Sequence, residues 1–174
     1  MRALRRWAVR SALLGVGATA TMDAGAELVR RTTGVPPLDY RLLARWIGHM
    51  RTGRFTHDNI ADAEPIRGEA KLGLVVHYSI GVSFAGLLLA WRPRWTERPS
   101  LGPAMAIGLG TIIAPWFVMQ PAFGLGVASA KTPDPTAARL RSLRTHATYG
   151  LGLYLTGQAL KAARAGLRRP ASRR

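Results

Sequence analysis

The chain has 174 residues, with 25 Lys+Arg against 9 Asp+Glu, a net charge of +16 and no cysteine. Without cysteine there is no disulfide, no thiolate nucleophile and no Cys-ligated metal. Such a charge would suit nucleic acid, but the apolar residues gather into four blocks with basic residues at their flanks. That is a membrane-topology pattern rather than a basic binding face, so nucleic acid is set aside as a partner and a lipid bilayer is expected.

The first block, Ser11 to Val29, runs nineteen residues without Lys or Arg. That length crosses a hydrocarbon core of roughly 30 Å. Its basic start and the small residues Ala24-Gly25-Ala26 imitate a signal peptide, but three further blocks downstream favour a retained helix. Ser11, Gly15 and Thr19 recur every four residues, and so do Gly17, Thr21 and Gly25. This spacing lets helix backbones approach closely in lipid. Asp23 continues the first row and is expected on the packed side, because an acid in a span costs about 2.5 to 3.5 kcal/mol on insertion scales.

Residues 30–71 form the longest segment outside the spans. Gly34, Pro36 and Pro37 stop the first helix. Residues 38–50 read as a short amphipathic helix, with Leu42, Leu43, Trp46, Ile47 and Met50 on one face and Arg41, Arg45 and His49 on another. A helix of this kind lies in the interface or packs over the bundle mouth. The stretch that follows is a loop with one helical turn near Asn59.

The second span covers 72–91 and is uncharged apart from His77. Gly81 and Ala85 add a small pair, while Trp91 and Trp95 fit an aromatic belt. After a basic turn at 92–100, the third span covers 101–120, with Pro103 in its first turn and a kink expected at Pro115. Residues 124–135 are a loop. The fourth span covers about 143–160, its helix expected to begin earlier, among Arg139, Arg141 and Arg144, with Thr148, Gly152 and Thr156 as a third row of small residues. Residues 161–174 form a basic tail, expected to be disordered past Pro170 and to meet anionic headgroups.

These readings add up to an all-α fold in a single domain, 1–174: a polytopic membrane protein of four transmembrane helices plus a short interfacial helix. The two sides of the membrane receive 13 and 12 Lys/Arg, but the 13 come from the shorter flanks. Short flanks carry the orientation signal, which places both termini in the cytoplasm.

All four histidines then fall on the outer side with a carboxylate among them. His77 lies about 8 Å below the start of its span and Asp23 about 9 Å from the end of its own, at 1.5 Å per residue. Asp23, His77 and His146 are expected to converge, with Tyr78, Gln120, His49 and His57 as further members of a polar or ligand-binding cluster. The leading reading is a non-catalytic bundle, a partner or assembly protein whose polar layer fixes helix register. A small transporter with an Asp–His proton relay is the alternative. A haem- or metal-binding redox protein, ligated by His77 and His146, is the second alternative. No catalytic motif is present, the cofactor stays unspecified, and a homo-oligomer or membrane partner stays open.

Several blocks together carry a resemblance: Thr21-Met22-Asp23; Leu38-Asp39-Tyr40; Arg45 to His49; Gly53 to His57; Gly68-Glu69; His77-Tyr78 with Gly81. Pro115 to Pro121, Gly124-Leu125-Gly126, Thr132-Pro133, Arg139, Ser142, His146 and Gly150 to Tyr154 continue it. Across about residues 9 to 160 the chain resembles a bacterial family of small inner-membrane proteins, domain of unknown function 2938. The resemblance implies four spans and no known activity.

Overall fold

The computed structural model describes residues 1–168, which are helical with no strand among them. α1 (Arg2–Thr33) stops at Gly34, whose φ of 73° closes the helix by a bond from its N–H to Arg30 O. Glycine takes that left-handed cap without strain. α2 (Tyr40–Met50) opens on Asp39, whose side chain accepts from the Arg41 N–H. α3 (Glu69–Trp91) is followed by α4 (Leu101–Gly110), a π-helical turn at Pro115–Met119, the single turn α5 (Gln120–Ala122) and α6 (Pro135–Arg168). Two stretches, Glu69–Trp91 and Leu101–Ala122, are long and apolar enough to cross a membrane. α1 and α6 are longer still, at 32 and 34 residues, but more polar.

α1 packs on α3 and α6, α6 packs on α4, and α2 packs on α3. Both rows of small residues on α1 are used. Gly15 lies against the backbone of Gly81 and Val82, and Thr19 against Gly81, so the first row meets α3. Gly17, Thr21 and Gly25 lie against Thr156, Gly152 and Thr148 in turn, so the second row meets α6. Gly108 lies against Gly150, which brings α4 equally close to α6. The main core is Leu14, Ala18, Ala85, Leu88, Trp95, Tyr149 and Leu153. A smaller core of Ile60, Ala122 and Phe123, with Trp46 against it, sits under the loops.

Several local expectations change. α2 takes the second of its two expected placements, packed on the bundle, with Leu43 and Ala44 buried and Gly73 of α3 against the Tyr40 carbonyl. Arg45, read on the face opposite the apolar one with Arg41 and His49, is buried. Its guanidinium makes a two-pronged pair with Glu69 at 2.9 and 3.1 Å and donates to the carbonyls of Ile60, Ala61 and Ala63. An arginine fork can be buried when every prong finds an acceptor, as here. Trp95, read as a belt residue, is a core residue against Gly157, because the 92–100 turn folds it inward. α6 starts eight residues before 143 and continues through the first eight residues of the expected tail. The disorder expected past Pro170 lies outside the described residues.

Candidate functional site

The site begins with Asp23. It lies one turn beyond Thr19 on the α1 face that meets α3. Its Oδ1 accepts from the Tyr40 hydroxyl at 2.7 Å and from His77 Nε2 at 3.0 Å, and its Oδ2 accepts from the Tyr78 hydroxyl at 3.1 Å. Three donors from α2 and α3 therefore satisfy one half-buried α1 carboxylate. Tyr40 also stacks flat on the His77 ring, with centroids 3.8 Å apart, and Tyr78 meets that ring edge-on. Burial, and then the adjacent Asp23, raise the Tyr40 phenol well above its ordinary pKa, so it remains a donor.

His146 stands on α6 opposite the break in α4. Pro115 has no N–H, and the helix ahead of it loosens: Ile112 N–H turns to Leu109 O. The Gly108 carbonyl is instead taken by the Thr111 hydroxyl at 2.6 Å. A hydroxyl has one proton, so Thr111 Oγ1 must act as acceptor toward His146 Nδ1, also at 2.6 Å. This assigns the His146 proton to Nδ1 and leaves a lone pair on Nε2. In the neutral His77 ring, Nε2 carries the proton toward Asp23, which leaves the lone pair on Nδ1.

Both rings border one cavity of about 340 Å³ among α1, α3, α6 and the 111–125 segment. Its walls are mostly apolar, with Met22, Phe84 and Met119 among them, and Val35, Pro36, Pro37 and Leu38 line it as well. Tyr149 also borders it and donates to Gly81 O at 2.6 Å. Thr19 Oγ1 and Gln120 Oε1 lie at its wall, buried and without a hydrogen-bond partner. Among the described residues, His77 Nδ1 and His146 Nε2 also have no protein partner, yet neither is sealed from a small molecule.

His49 and His57 form a separate pair. His49 Nε2 must donate to Glu64 O at 3.0 Å, since a carbonyl only accepts. His49 Nδ1 then accepts from His57 Nε2 at 2.8 Å, which leaves His57 Nδ1 buried and unpaired. Burial first, and the charge of Arg54 second, lower the His57 pKa below its ordinary 6.5.

The structure thus joins Asp23, His77 and Tyr78 by direct bonds and sets His146 and Gln120 on the same cavity as His77. It puts His49 and His57 in a different contact. Sequence reasoning missed Tyr40 and Thr111 as site residues. A signal existed for Thr111 in its place one turn ahead of Pro115, where a kink was expected and a hydroxyl can replace a displaced N–H on a backbone carbonyl. Among the described residues, no three His, Cys, Asp or Glu side chains group as a metal set.

The fold and site together define an all-helical bundle with an imidazole-bordered internal cavity. A family model described as "Protein of unknown function (DUF2938)" matches residues 12–160, and the chain belongs to that family. No curated protein and no solved structure matches it.

Proposed function

We propose that this chain is a non-catalytic, four-span protein of a bacterial inner membrane, whose single domain encloses a binding cavity for a small lipid-soluble molecule. The cavity carries the reading. An apolar space with a few convergent polar groups is what small-molecule sites look like, and about 340 Å³ lies within their usual range. The outer surface supports lipid as the solvent. Leu13 and Val16 on α1, Leu74, Val75 and Leu87 on α3, Ile113 and Phe117 in the 101–122 stretch, and Leu151 and Leu155 on α6 are all exposed. Contiguous apolar surface of that kind needs lipid or a partner over it. Ligation of a bare metal ion has less behind it. Both Asp23 oxygens are already taken by Tyr40, His77 and Tyr78, so the two imidazoles lack a third protein ligand.

The absence of cysteine makes topology directly testable. Single cysteines at Thr52 and Arg94, treated with an impermeant thiol reagent on whole cells, should label at 52 and stay silent at 94. Equal labelling at both would reject four spans with cytoplasmic termini. For the cavity, native mass spectrometry of protein gently extracted from membranes should show a bound small molecule. That adduct should vanish when Ala114→Phe fills the space. An adduct that survives Ala114→Phe would place the binding elsewhere.

A further inference from the structure

The unpaired atoms around the cavity are two imidazole nitrogens, the Gln120 amide oxygen and the Thr19 hydroxyl. His146 Nε2 carries a lone pair because Thr111 holds its proton on the other side of the ring. His77 Nδ1 carries one in the neutral ring because Asp23 holds its proton likewise. Gln120 Oε1 is a third acceptor at the same wall, buried without a donor. The tyrosine hydroxyls nearby are already used, Tyr149 on Gly81 O and Tyr40 and Tyr78 on Asp23, while the unpaired Thr19 hydroxyl can donate or accept. A ligand that brings only acceptors would leave these lone pairs facing its own. A ligand that brings hydroxyl protons would satisfy them. A hydroxyl can donate to an imidazole and still accept from Thr19, whereas a ligand with acceptors alone leaves both imidazole lone pairs unpaired, which costs more than a made bond gains.

We propose that the cavity takes a hydroxyl-bearing, lipid-soluble amphiphile, whose hydroxyl protons go to His146 Nε2 and His77 Nδ1. This rests on the cavity reading above. The ligand's apolar body fills the Met22, Phe84 and Met119 walls, and its hydroxyls lie between the two imidazoles. Thr111 is a positioning residue: it fixes the His146 tautomer and so sets which kind of ligand is accepted. Arg141 and Arg144 also border the cavity but are exposed, where water solvates them. A carboxylate amphiphile held by those guanidiniums is the rival occupant.

The test uses the full chain in nanodiscs of zwitterionic lipid and three probes in equilibrium dialysis: a decyl hydroquinone kept under argon, the corresponding decyl quinone, and lauric acid. The first two share ring and tail and differ in donating or accepting. The hydroquinone should bind about tenfold tighter than the quinone, the size expected for one or two hydrogen bonds. Thr111→Val should shrink that ratio to about threefold by releasing the tautomer, and Thr111→Ser should restore it. His146→Leu should weaken the hydroquinone and leave the quinone unchanged. Equal affinity for the two ring probes, a preference for the quinone, or binding of lauric acid alone would overturn the proposal while leaving the cavity reading intact. If none of the three probes binds and no adduct is seen in mass spectrometry, the cavity reading itself falls. If Thr111→Val proves unstable, the wild-type ratio still decides.

Discussion

The two sides of α1 treat their neighbours differently. Along α3 and α6 the contact is a close seam, glycine against backbone at Gly15–Gly81 and Ala18–Gly152. Toward the 111–125 segment the helices part and leave the cavity, because the α4 ladder breaks at Thr111 and Ile112 ahead of Pro115. A seam of small residues gains its energy from close packing and leaves nothing for a ligand to do. A broken helix gives up packing, frees a carbonyl and creates a place where side-chain chemistry is unspent. In one bundle the first region holds the fold and the second offers the site.

Breaking the seam should cost most. Gly81→Leu would drive a side chain into Thr19 and the α1 backbone, neither of which can move aside, and should lower stability by about 3 kcal/mol in denaturant unfolding of the detergent-solubilised protein. Next comes the polar tie beside it. Asp23→Ala leaves Tyr40, His77 and Tyr78 as donors without an acceptor and should cost about 2 kcal/mol by the same assay, with Asp23→Asn costing less. A smaller effect is expected at the His49–His57 pair. The His57 pKa is lower folded than unfolded, so the unfolded chain binds the proton more readily. Stability from this group is complete above about pH 6.5 and is lost as pH falls toward the folded value. The melting temperature should drop between pH 7.5 and 5.5, and His57→Phe should flatten that slope. The smallest change in stability belongs to the cavity. Ala114→Phe enters open space and should shift unfolding by less than about 1 kcal/mol while abolishing ligand uptake. A reversed order, with the cavity variant worse than the seam variant, would mean that the two regions had been assigned the wrong roles.

The seam was readable from the chain alone. Four-residue spacing on a helix puts residues on one face, so the rows at 11, 15 and 19, at 17, 21 and 25, and at 148, 152 and 156 announced contact surfaces before any partner was known. Asp23 could be placed on the packed side by the same register. The parts that could not be read all depend on a second, distant segment. Arg45 has the same helical spacing as the exposed Arg41, and only the arrival of Glu69 and the 60–63 carbonyls makes it an inside residue. Trp95 lies in a basic turn whose path back toward Gly157 has no periodic signature. Tyr40 was the first residue of a helix with no sign that its hydroxyl would reach α1. The tautomer of His146 needs a chain of three groups from two helices, and no pattern in one segment encodes it.

The Arg45 guanidinium fastens more than α2. Residues 35–38 and Tyr40 line the cavity, and the chain runs into them directly from α1. Five hydrogen bonds from a single side chain rivet α2 to α3 and to the 60–63 turn. Lifting α2 away would strip all five at once. On the proposed function, a ligand that enters between the helices leaves those five bonds intact, whereas one that enters past α2 must break them.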